Sequence, residues 1–197
     1  REEEDPFNYE DNIIGWYDAI KSKLNKMRAV RYAASITEHN GVIVGVMPVI
    51  EDVEYLLNEL EHRDRYLPVM EKMNHRRQCE WLSARLLLKE MLGVEKEIGY
   101  LPSGKPYLTD GTYQISISHT KGYVAVIASK TQAVAIDIEY LSPRVERIKD
   151  RFLSEEELAN LDADEPLVHL LLHWSAKECL FKLLDEDAIE FKTQLHV

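Results

Sequence analysis

Three carboxylates and a set of basic side chains stand out by type and spacing. In the run AVAIDIEYL, residues 133–141, side chains of an extended chain alternate between two faces. Val134, Ile136, Ile138 and Tyr140 share one face, and Ala133, Ala135, Asp137 and Glu139 share the other. Two like charges held side by side raise each other's proton affinity unless a cation intervenes, and hard oxygen ligands at this spacing suit Mg2+. The same pattern also fits an exposed strand face with ordinary surface acids. In HWSAKECLFKLL, residues 173–184, Trp174, Glu178 and Lys182 are four apart and line up on one helical face, with Lys177 about a quarter turn away. Glu178 reads there as a third metal ligand, as a base, or as one half of a routine i,i+4 ion pair.

Basic groups supply the complementary chemistry. His119 closes the polar–apolar alternation ISISHT, residues 115–120, as a ligand contact or as an ordinary strand-end histidine. Lys72, His75, Arg76, Arg77, Arg85 and Lys89 cluster in sequence, either as a local pocket for a small phosphorylated ligand or as a solvated helix face. The GKP run, residues 104–106, lacks the spacing and the Ser or Thr of a phosphate-binding Walker loop, and neither GxGxxG nor HExxH occurs.

The elements that position these groups follow from pattern. GVIVGVMPVI, residues 41–50, reads as a buried strand, and residues 51–61 have helical spacing. A longer helix is expected over residues 70–92, with Trp81, Leu82, Leu86, Leu88 and Leu92 near one stripe and Gly93 as its stop. Strands are expected over 114–118, 123–129 and 133–140. Ser154 and Glu157 have capping-box spacing, residues 167–184 form the strongest helical segment of the C-terminal half, and 189–197 alternate enough for one more strand. Strands and helices are segregated rather than in βαβ order, which predicts an α+β fold.

A net charge of -11 disfavours a nucleic-acid partner, because duplex affinity rests on Lys and Arg neutralising phosphates. Apolar runs stay short of the roughly 18 residues of a membrane span, and the charged start is unlike a signal peptide, so no membrane association is expected. Cys79 and Cys179 form neither a CxxC knuckle nor a disulfide framework, which points to a reducing, cytoplasmic setting.

In order and spacing, GKPYL, ISISHT, AVAIDIEYL, RFLSEEE and WSAKECLFK resemble the motif series of the 4′-phosphopantetheinyl transferases, in particular the surfactin-synthetase-activating type. The resemblance runs from about Arg76 to the C terminus. It implies two similar half-domains in a pseudo-dimer, each with a small, mainly antiparallel sheet and a long helix. Their expected bounds are 27–130 and 131–197, after an N-terminal extension over 1–26. It also implies transfer of the phosphopantetheine arm of coenzyme A to a serine of an apo acyl or peptidyl carrier protein, in fatty-acid, polyketide or nonribosomal-peptide synthesis. Asp137, Glu139 and Glu178 would be the Mg2+ ligands, and Glu178, Lys182, Lys177 and Glu157 the catalytic groups. His119, Lys105, Arg77 and Arg85 would hold coenzyme A. Cys179 departs from the family's usual Ser or Ala, and the chain stops soon after Lys182, where the family continues through further strands, so an incomplete C-terminal half is expected. A monomer is the default. The alternatives are a coenzyme A-binding or carrier-binding module without turnover, and a metal-dependent phosphodiesterase acting on the same arm.

Overall fold

Asn40 and Gly41, both at positive φ (50° and 77°), make the two-residue turn whose twist suits a hairpin. They join β1 (Ser35–His39) to β2 (Val42–Pro48) in antiparallel register, with His39 opposite Val42. The computed structural model describes residues 34–184 and 188–197. The expected extension over 1–26, and the start of the first expected half-domain, lie outside the described residues.

After β2 come two short helices, α1 (Val53–Glu59) and α2 (Arg63–Met70), and then the long α3 (His75–Leu92). α3 begins where the Asn74 side chain accepts from the Arg77 amide, and it stops at left-handed Gly93. The helix expected over 70–92 therefore starts later, because a separate turn, α2, precedes it. β3 (Ile98–Tyr100) and β4 (Pro106–Leu108) form a ribbon of their own. β5 (Gln114–Thr120) and β6 (Tyr123–Ser129) then complete a four-stranded antiparallel sheet in the order β1-β2-β6-β5.

α3 lies across β2 and β6 and also packs on α1. Apolar surfaces on both sides explain why Cys79 through Leu88 are all buried, polar residues included, rather than only the expected stripe. Gly45 lets the helix come close: a Cβ there would stand 2.7 Å from Met91 Sδ and 2.9 Å from Leu87 Cδ1.

Beyond Ser129 the chain is held differently. The strand expected over 133–140 makes no backbone ladder; instead Ile136 N and Ile138 N donate to the hydroxyls of Ser116 and Ser118 on β5, both at 3.3 Å. A 3₁₀ turn (Pro143–Arg147), α4 (Lys149–Phe152) and α5 (Glu155–Ala159) follow, α5 opening with the predicted Ser154–Glu157 capping box. The long α6 (Pro166–Leu184) packs over Val145, Phe152 and Leu153 through Leu170. The strand expected over 189–197 is instead a short helix, α7 (Phe191–Gln194), because Phe191 joins this cluster and Gln194 turns back to bond Glu190 N.

Mixed helix and antiparallel sheet give the predicted α+β class. Among the described residues, every strand lies before Lys130. No described helix is long and apolar enough to cross a membrane.

Candidate active site

β5 serves two ends of one furrow with alternate side chains. His119 points to the first turns of α3, where Arg77 Nη1 lies 3.1 Å from its Nε2. Arginine can only donate, so Nε2 accepts from it when it carries no proton, whereas Glu80 Oε2, 3.4 Å from the same nitrogen, receives its proton when it has one. Burial depresses the proton affinity of His119, and Arg77 and Arg76 add to the effect against the opposing pull of Glu80. Glu80, itself buried, collects Arg76 at 2.9 Å and Arg77 at 3.8 Å.

Arg85, two turns on, is 5% exposed. Its guanidinium lies 3.2 Å over the Trp81 ring centroid and donates to Trp81 O at 3.0 Å. Among the described residues no carboxylate pairs with it, and burial draws its proton affinity down. A desolvated cation without an anion is costly unless a ligand supplies one.

Arg77, Arg85, Tyr100 and His119 line a cavity of about 130 Å³. Lys105, Ser116, Val134, Phe181 and Lys182 line a second of about 190 Å³. Each is smaller than the ~300–1,000 Å³ of typical small-molecule sites. The two share Gly104, Pro106 and Ile117, however, and so make one continuous furrow. The GKP run forms its rim, with Gly104 at φ 87° and Leu101 N bonded to Lys105 O at 3.0 Å.

Next to Lys182, which lines the second cavity, Ser118 Oγ donates to Asp137 Oδ1 at 3.0 Å and Lys182 Nζ donates to the same oxygen at 2.9 Å. Asp137 Oδ2 is buried without a hydrogen-bond partner. Trp174 Nε1 donates to Glu139 Oε1 at 3.1 Å. The expected face of Trp174, Glu178 and Lys182 is therefore turned toward the acidic segment. Burial raises the proton affinity of Glu178, with Asp137 and Glu139 adding to it against Lys182. Glu139 is raised as well, by burial first, with Asp137 adding and the Trp174 bond opposing.

Among the described residues no three His, Cys, Asp or Glu side chains converge as a ready metal cage. The donor types nevertheless suit a hard cation: all three are carboxylates, Asp137 Oδ2 lacks a partner among the described residues, and Asp137 already holds one positive charge, the Lys182 ammonium. Asp137, Glu139 and Glu178 would hold Mg2+.

Lys177 and Glu157 are brought together with each other, 2.8 Å apart, in the C-terminal core, and neither lines the two cavities. The expected catalytic roles set Lys177 beside the reacting phosphate and Glu157 near the site, whereas here both buried side chains turn toward each other. Burial pushes the Glu157 carboxyl up, but the Lys177 ammonium and the amides of Ser154 and Val197 outweigh it and hold it well below the usual carboxylate range. A depressed folded value contributes stability that is complete above the ordinary carboxyl pKa of ~4.3 and is lost as pH falls toward the depressed one. The difference in urea midpoint between the parent and Glu157→Gln is therefore expected to be full near pH ~6, to shrink from pH ~5 downward and to close only toward about 2. A difference independent of pH would contradict the pairing.

Sequence reasoning missed Ser116, Ser118, Glu80 and Tyr100. The two serines were legible as the second face of the ISISHT alternation. Residues 133–194 match the family model of the 4′-phosphopantetheinyl transferase superfamily, a C-terminal stretch of less than half the chain. That match supports a transferase, phosphopantetheine transfer and coenzyme A as its substrate. A comparison with curated proteins finds no match.

Proposed function

We propose that the chain is a Mg2+-dependent 4′-phosphopantetheinyl transferase of the surfactin-synthetase-activating type, converting an apo acyl or peptidyl carrier protein to its holo form. The observation that carries this reading is the placement of Lys182, which lines one end of the furrow and binds Asp137 beside Glu139 and Glu178, while Arg77, Arg85 and His119 line the other end. The surfactin-type assignment is supported by GKPYL and ISISHT, which precede the matched stretch and line the same furrow.

Arg77, Arg85, His119 and Lys105 bind the phosphates and adenine end of coenzyme A. Arg85, which meets no carboxylate among the described residues, suits that role, since a phosphate provides an anion for it. Lys182 releases Asp137 to meet the pyrophosphate and stabilises charge developing on the leaving group. Bound Mg2+ would supply electrostatic polarisation of the same pyrophosphate. Glu178, whose raised proton affinity suits a base at neutral pH, takes the proton of the carrier serine. The serine oxygen then bonds to the β-phosphorus, the phosphoanhydride bond breaks, and 3′,5′-ADP leaves. Neither cysteine takes part, and burial keeps both thiols protonated.

The pseudo-dimer reading, with halves at 27–130 and 131–197, draws support from two long helices, α3 and α6, each lying against an extended segment. A cytoplasmic monomer agrees with two free cysteines.

Incubating the protein with coenzyme A, Mg2+ and an apo carrier protein, then weighing the carrier, tests the function. The expected result is a gain of one phosphopantetheine with release of 3′,5′-ADP. Tight coenzyme A binding with no mass gain would favour a binding module, and loss of the arm from a holo carrier would favour a phosphodiesterase. In calorimetric titration, His119→Ala is expected to bind coenzyme A about tenfold more weakly, ~1.4 kcal/mol, as fits a half-exposed donor to phosphate. Lys105→Ala is expected to lose less. Unchanged affinity in His119→Ala would remove His119 from the site.

A further inference from the structure

The Lys177 side chain is 0% exposed and that of Glu157 7% exposed. Lys177 Nζ donates to Phe152 O at 2.5 Å, Glu157 Oε2 at 2.8 Å and Phe191 O at 3.1 Å. Those three bonds exhaust the protons of an ammonium, so none is left for a substrate phosphate. Glu157 accepts in turn from Ser154 N at 2.8 Å and, through its other oxygen, from Val197 N at 3.1 Å. The pair therefore joins the end of α4, the start of α5, the middle of α6 and the segment 191–197.

The two residues whose carbonyls receive Lys177 also place their rings on Trp174. Phe152 meets it edge-on at 5.1 Å between centroids, and Phe191 meets it at 5.7 Å. Trp174 is the donor that holds Glu139. Adjacent residues of a helix point about 100° apart, so fixing the direction of Lys177 also fixes that of Glu178.

We propose that Lys177 and Glu157 are positioning residues. They form a buried latch that seats Phe152 and Phe191 against Trp174 and so sets the rotation at which α6 presents Glu178 and Lys182 to Asp137 and steadies Glu139. This rests on the transferase reading of the site. Releasing the latch leaves a buried carboxylate without its counter-charge and takes this donor from two carbonyls, which favours loosening of the C-terminal segment over loss of the fold elsewhere.

The test is a double-mutant cycle of Lys177→Gln, Glu157→Gln and the pair together. Three readouts are followed: kcat and KM for coenzyme A, the urea midpoint, and amide hydrogen exchange over residues 188–197. Lys177→Gln strands the buried charge. It is expected to lower kcat by about 10- to 100-fold, the range usual for residues that support ligands, with KM nearly unchanged. It should also lower the midpoint and speed exchange at 188–197. Adding Glu157→Gln removes the stranded charge while keeping one hydrogen-bonding oxygen, and is expected to recover part of all three losses. The proposal is overturned if Lys177→Gln lowers kcat without moving midpoint or exchange and the second change recovers nothing, since that is how a group touching substrate behaves. If the parent modifies no carrier, the transferase reading fails by itself. Coupling of the two residues in midpoint and exchange, and accelerated exchange in Lys177→Gln, then still decide whether the latch exists.

Discussion

Replacing Asp137 by Asn is expected to reduce phosphopantetheine transfer by about a thousandfold, which corresponds to ~4 kcal/mol on the barrier, while leaving the fold in place. The substitution keeps the volume of a side chain that is 7% exposed and keeps one oxygen for Ser118 and Lys182. What disappears is the negative charge, and with it the buried, unpartnered oxygen that suits a cation. Lys182 keeps its second bond, to Ile136 O at 2.9 Å, so the helix stays docked. Mass spectrometry of the carrier reports the transfer, and far-UV circular dichroism checks the fold. An Asp137→Asn protein with parental turnover would end the assignment of a metal to this carboxylate.

Glu178→Gln and Glu139→Gln are expected to part company when Mg2+ is varied. The glutamine at 178 retains size and one acceptor but cannot take a proton, so kcat should fall by about 10² to 10⁴, the usual contribution of a general base, at every Mg2+ concentration, with coenzyme A affinity little changed. Glu139→Gln should weaken Mg2+ binding and regain much of its activity as Mg2+ is raised, because water can replace one oxygen ligand. Calorimetric Mg2+ titration supplies a readout separate from turnover. Parallel behaviour of the two variants would make Glu178 a ligand only. The base would then lie elsewhere, and Glu157, the next acid the sequence offers, stands against Lys177 in the core.

Chemistry was more legible than architecture. Asp137, Glu139 and Glu178 announce themselves by residue type, and the i,i+4 row of Trp174, Glu178 and Lys182 survives into the structure because α6 is long and unbroken. Period-two patterns were less decisive. Residues 133–140 alternate as a strand would and are extended, but alternation records which side chains face inward and carries no information on what receives the amides. At 189–197 alternation misled altogether: Phe191 reaches its cluster from one helical turn. The reverse held at β1, where a polar, exposed strand offers no apolar rhythm and only the Asn40–Gly41 pair betrays the hairpin. Lys177 and Glu157 lie twenty residues apart, so no local pattern discloses that they satisfy each other.

The two serine hydroxyls under the acidic segment have a consequence for alignment. In an ordinary ladder, a strand that slips by two residues finds a fresh set of carbonyls and amides and can settle again. Residues 133–140 are held on β5 by side-chain hydroxyls instead. The hydroxyls that receive Ile136 N and Ile138 N stand at Ser116 and Ser118; toward Gln114 that face has no further hydroxyl, and toward Thr120 it has one more. Ser118 also grips Asp137 itself, so a slip would break the backbone bonds and the carboxylate bond together. A pair of side chains thus does the indexing that sheet proteins usually leave to the backbone, and sets to one notch the carboxylate on which the chemistry depends.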